Sequence, residues 1–113
     1  MTSRKFAAIA LSLSIAAAFV PSISFAAEDH LEEAIDHAKS ATNNGRQGRA
    51  EVFLEQTQLA VQHAEAADAE QKNLLVEAAI RDLKNAIELG KAGKVDVAVE
   101  KVDVAVGHLS HAK

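Results

Sequence analysis

Gly45-Arg46-Gln47-Gly48 returns 45 positions later as Gly90-Lys91-Ala92-Gly93, and these two short turns govern how the rest of the chain reads. The same offset, without a gap, sets Ala34 on Ala79, Ile35 on Ile80, Lys39 on Lys84 and Ala41 on Ala86. Beyond the turn it sets Glu55 on Glu100, Ala60 on Ala105, Val61 on Val106 and His63 on His108. The chain is therefore one helix–turn–helix unit used twice.

Working outward from the first turn, apolar residues fall at spacings of three and four on both sides, the mark of a helix with one buried face. Before it, Leu31, Ala34, Ile35, Ala38 and Thr42 predict a helix over about Asp29–Asn43, with Asp29 as cap, Glu32 completing a capping box, and Gly45 as the left-handed residue that ends it. After it, Phe53, Leu54, Thr57, Ala60, Val61, Ala64 and Ala67 predict a second helix over about Arg49–Ala67, with Gln56, Gln58 and Gln62 on its wet side. Asp68 and Gln71 suit the start of a third helix, about Glu70–Leu89, whose stripe is Val76, Ala79, Ile80, Leu83, Ala86 and Ile87.

The last segment, about Lys94–His111, admits two readings. Val95, Val97 and Val99 alternate, as do Val102, Val104 and Val106, which alone would suggest two short strands. The segment also fits a helix with Val95, Ala98, Val99, Val102, Ala105, Val106, Leu109 and Ala112 on one face. Glu100-Lys101 lacks the Gly or Asn of a tight hairpin, and the repeat partner, Phe53 to Ala67, does not alternate. The helix is the consistent choice. Two helical hairpins with short connections predict an all-α, antiparallel up-down-up-down four-helix bundle. Its repeats are about residues 30–67 and 75–112.

Residues 1–26 carry the pattern of a secretory signal peptide. Arg4 and Lys5 precede an apolar run of 14 residues, Ala7 to Val20. Pro21 breaks the run, and Ser24-Phe25-Ala26 offers a small-x-small cleavage site. The run is short of the ~20 residues that a membrane span needs. The chain's 113 residues less these 26 leave 87, enough for one small domain, residues 27–113. The expected address is the periplasm or the exterior.

Two of the 12 basic residues and none of the 16 acidic ones lie in the leader, so the remainder carries ten basic against 16 acidic residues, a formal charge of −6. An acidic surface disfavours nucleic acid and anionic membrane and suits cations. The remainder also has no Cys, Met, Trp, Tyr or Pro, and Phe53 is its one aromatic residue. No disulfide, iron–sulfur cluster or covalent haem is possible, nor a haem held by Met and His. Any metal site must use nitrogen and oxygen donors. No cysteine nucleophile, phosphate-binding glycine loop or His-Glu-x-x-His motif is present, and no enzyme activity is expected.

Chemistry is left to five histidines, His30, His37, His63, His108 and His111. In an antiparallel bundle all five fall in the half away from the glycine turns, flanking the core rather than filling it. His30, Glu33 and His37 follow i, i+3, i+7, so that Glu33 neighbours both imidazoles on one helix face. His30 and His37 themselves stand about 10 Å apart along the axis, too far to share an ion directly. His108 and His111, at i, i+3, can chelate one ion. Imidazole with carboxylate suits Cu(II), Ni(II) and Zn(II), Cu(II) having the highest intrinsic affinity. The simpler alternative is that these histidines are solvated polar surface, and His63 has no partner on its own helix unless the helix ends converge.

The string His30-Leu31-Glu32-Glu33-Ala34-Ile35-Asp36-His37-Ala38, with Val61-Gln62-His63-Ala64, Val106-Gly107-His108-Leu109 and the two Gly-x-x-Gly turns, resembles the small metal-binding protein family. The resemblance implies an exported, histidine-rich four-helix bundle that binds divalent metals, copper above all, in storage or detoxification. Family repeats run His-x-x-x-Ala-x-x-His-Ala. Here Asp82 stands at the repeat position of His37, and Gln56 and Lys101 stand where the family would place histidine. The ligand role can therefore pass only to the five histidines, with Glu33 beside them. The competing function is a metal-free exported helical protein that binds a protein partner through an acidic or Ala-rich face.

Overall fold

The computed structural model describes residues 25–113. These form four helices, α1 (Phe25–Arg46), α2 (Ala50–Glu70), α3 (Leu74–Lys91) and α4 (Val95–Ala112), and contain no strand. Each helix packs on its neighbours in the order α1·α2, α2·α3, α3·α4 and α4·α1, which closes the up-down-up-down bundle. The leader expected over residues 1–26 lies outside the described residues except for Phe25 and Ala26, both exposed at the start of α1.

The buried set matches the stripes. Leu31, Ala34, Ile35 and Ala38 from α1 meet Phe53, Ala60, Val61 and Ala64 from α2, Val76, Ala79, Leu83 and Ala86 from α3, and Ala98, Val99, Val102, Ala105 and Leu109 from α4. Thr42 and Thr57, also buried, donate their hydroxyls to the carbonyls of Lys39 (2.9 Å) and Phe53 (2.7 Å), so neither leaves a polar atom unsatisfied. On α4 the helical reading holds. Val95 and Val106 pack against the core and Val99 and Val102 lie within it, while Val97 and Val104, the valines off the helical stripe, are exposed.

The repeat extends to individual hydrogen bonds. Arg49 N–H reaches Asn44 C=O at 2.9 Å and Gly48 N–H reaches Gly45 C=O at 3.1 Å; 45 residues on, Lys94 bonds Leu89 at 2.8 Å and Gly93 bonds Gly90 at 3.0 Å. This paired 6→1 and 5→2 pattern is a Schellman ending. It places the left-handed residue at Gly48 (φ +80°) and Gly93 (φ +82°), not at Gly45 as the sequence reading had it. Gly45 and Gly90 stay helical and buried for a different reason. A Cβ on Gly45 would stand 2.6 Å from Val99 Cγ2 and 3.0 Å from Phe53 Cδ1; one on Gly90 would stand 2.9 Å from Leu54 Cδ2 and 3.1 Å from Phe53 Cε2. The two glycines thus form the opposite walls of the seat for the largest core side chain.

Two caps differ from expectation. Asp29 lies inside α1, which is already helical at Phe25, and so caps nothing. Helix α3 starts at Leu74 rather than Glu70, because α2 continues through Glu70 and Asn73 takes the cap, its side chain accepting from the N–H groups of Leu75 (2.8 Å) and Val76 (3.3 Å). Asp68, expected to cap α3, instead holds the link from the α2 side by accepting the Asn73 N–H at 2.9 Å. Lys72 bridges the same corner, to Glu77 at 2.8 Å and Asp68 at 3.4 Å. Its pKa is raised above 10.5, first by the hydrogen bond to Glu77 and then by the charge of Asp68.

Candidate metal centre

The Schellman turn sends α2 back along α1, so residues at equal distances from the Arg46–Gln47 bond face one another. His30 meets His63 and His37 meets Gln56, both pairs centred on the same point of the chain. The Nδ1 atoms of His30 and His63 lie 3.1 Å apart, and His37 Nδ1 lies 2.8 Å from Gln56 Oε1. The His63 ring sits between the other two, with centroids 5.3 Å from His30 and 5.4 Å from His37, the latter pair stacked at 11°. On α1, Glu33 Oε1 lies 3.8 Å from His37 Nε2, one helical turn away.

The result is a set of three side chains, Glu33, His37 and His63, each offering one ligand atom within 4.8 Å of the others. It is the one group of three or more such side chains among the described residues. Both histidines are half-buried and Glu33 is exposed, so the set lies at the edge of the α1–α2 seam, open to an arriving ion, while Ala34, Ala60 and Ala64 of the same two helices are fully buried. The alanines matter here, because small side chains at the seam let the two helices bring their imidazoles together. Two neutral imidazoles and a carboxylate match the donor set preferred by Cu(II), Ni(II) and Zn(II). Three protein ligands also leave coordination positions open for water or a carrier group.

The predicted ligands divide accordingly. Glu33, His37 and His63 come together. His63, which sequence gave no partner on its own helix, lies at the centre of the cluster because the helices do converge. His30 touches His63 but stands outside the three-residue set. Gln56, expected on the wet side of α2, is half-buried and engaged with His37.

The expected His108–His111 chelate falls into separate contacts. His108 Nε2 turns to Asp82 Oδ2 at 3.6 Å on α3, and His111 donates Nδ1–H to the Gly107 carbonyl, 2.8 Å away on its own helix. By the repeat offset Asp82 and His108 are the counterparts of His37 and His63. In this second hairpin Ala78 replaces Glu33 and Leu75 replaces His30. The half-site survives without its third ligand.

The family model for small metal-binding proteins matches residues 5–112. No curated protein matches the chain.

Proposed function

The chain belongs to the small metal-binding protein family, and from that premise we propose that it binds a divalent metal ion through Glu33, His37 and His63, Cu(II) first and Ni(II) or Zn(II) less strongly, as an exported buffer, store or tolerance factor. The observation that carries this reading is the convergence of those three side chains within 4.8 Å across the seam of the first hairpin. The order of metals follows intrinsic affinity for nitrogen and oxygen donors. Export rests on the leader-like residues 1–26, and an extracytoplasmic address would expose the site to copper. Membership of a family named for binding metals accords with a carrier rather than a catalyst.

Binding also accounts for the position of the cluster. The ligands come from both arms of one hairpin, so an ion would tie α1 to α2 half a helix away from the turn that already joins them. Metal affinity and bundle stability are then linked, because an ion that binds only the folded state stabilises it in proportion to RT ln(1 + [L]/Kd).

Calorimetric titration with Cu(II), Ni(II) and Zn(II) near neutral pH tests the proposal and suits a domain without Trp or Tyr. We expect one strong Cu(II) equivalent, weakened at least tenfold in His37→Ala and in His63→Ala and little changed in His111→Ala. Absence of binding heat in the wild-type protein would leave the metal-free interaction protein as the reading to pursue.

A further inference from the structure

We propose that Gln56 and His30 are positioning residues that fix the proton of His37 and of His63 on Nδ1, so that both imidazoles present an unprotonated Nε2 to the metal site. The inference rests on the metal reading above for its purpose, but its physical content concerns the metal-free protein.

Neutral imidazole has one N–H and one bare nitrogen, and the hydrogen bond made by one nitrogen decides which is which. The atom facing His37 Nδ1 is the Gln56 side-chain oxygen, at 2.8 Å. That oxygen only accepts, so His37 Nδ1 carries the proton and Nε2 is left bare, 3.8 Å from Glu33 Oε1. A bare Nε2 beside a carboxylate is repulsive on its own and attractive once a cation lies between them. The contact of His30 Nδ1 with His63 Nδ1, at 3.1 Å, can hold only one proton while both rings are neutral. With that proton on His63, as the proposal has it, His63 Nε2 is bare and free to act as a ligand, and His30 keeps its own proton on Nε2. Gln56 and His30 thus do for two imidazoles what carboxylates and carbonyls commonly do behind metal-bound histidines. Gln56 stands where the family pattern would have histidine, and its amide oxygen supplies an acceptor that does not titrate.

The rest of the chain supplies internal references. His111 donates from Nδ1 to Gly107, and His108 directs Nε2 to Asp82. Long-range proton–nitrogen NMR of the metal-free, nitrogen-labelled protein at about pH 8, above the usual imidazole range, reads each tautomer directly. The expected pattern is Nδ1–H for His37, His63 and His111, and Nε2–H for His30 and His108. Gln56→Leu should return His37 toward the Nε2–H form that free histidine prefers and weaken Cu(II) binding roughly 10- to 100-fold. Gln56→Glu, which keeps an acceptor oxygen, should restore both. His37 or His63 as the Nε2–H tautomer in the wild-type protein, or an unchanged His37 tautomer in Gln56→Leu, would overturn the proposal. Because the spectrum needs no metal, it decides the role of Gln56 and His30 even if titration shows that no ion binds.

Discussion

At the level of single residues, Phe53 and its two glycine walls define how tightly the turn end of the bundle is built. Phe53 is fully buried, and Gly45 and Gly90 approach its ring from two helices. Gly45→Ala would force its new methyl to within 2.6 Å of Val99, and overpacking of this kind costs about 1–3 kcal/mol. Gly48→Ala meets no neighbour but must hold a left-handed φ, costing roughly 1–2 kcal/mol. Denaturant unfolding of the two variants should therefore show both destabilised although only one lies in a packed site. Phe53→Ala should lose about 3–5 kcal/mol, most of what a domain this small is expected to possess. The two roles within each Gly-x-x-Gly turn were not separable in sequence. Either glycine can end a helix, and only the packing of Phe53 between them shows that the first is needed for closeness and the second for its dihedral angle.

At the level of elements, α4 was the ambiguous segment, and its outcome has a simple check. The six valines alternate like strand residues, yet the helix buries Val99 and Val102 and leaves Val97 and Val104 in solvent. Val97→Glu and Val104→Lys should then move stability by no more than about 0.5 kcal/mol, whereas Val102→Asp, which buries an unpaired charge, should unfold the domain. A circular-dichroism melt of each variant distinguishes these outcomes. The start of α3 makes a second case. Asn73→Ala removes the cap and should cost about 1 kcal/mol. The Lys72 bridge nearby is exposed, and its raised pKa means that its contribution is present at neutral pH and is lost only as the pH rises past that value, above 10.5. Lys72→Met should leave the melting temperature almost unchanged, as surface pairs usually do. The stripes and the repeat were legible because they depend on spacing within one helix. The caps were less so, since Asp29, Asp68 and Asn73 are all competent capping residues and the packed helix lengths chose among them.

At the level of the whole molecule, the two hairpins share a backbone plan but have diverged in chemistry. The first joins Glu33, His37 and His63; the second keeps the Asp82–His108 contact with an alanine and a leucine in the other places. The sequence identified the histidines but favoured the pairs nearest in sequence. Contacts such as His63 with His37 depend on the register between helices, which spacing along one helix does not carry. A usable signal was nonetheless present, because the hairpin mirrors residues about the Arg46–Gln47 bond and so sets His30 against His63 and His37 against Gln56. Since metal must compete with protons for the imidazoles, bound ion should be lost as the solution is acidified. The rise in melting temperature given by excess Cu(II) at neutral pH should shrink with it, as a pH series of melts would show.

The proposed ion site lies in the first hairpin, at Glu33, His37 and His63. The most direct measurement follows backbone amide signals of the labelled protein while substoichiometric, paramagnetic Cu(II) is added. Signals around His37, Gln56 and His63 should broaden first, with those around Asp82 and His108 affected only after the first equivalent. Broadening centred on His108 and His111, or none at any residue, would contradict that site.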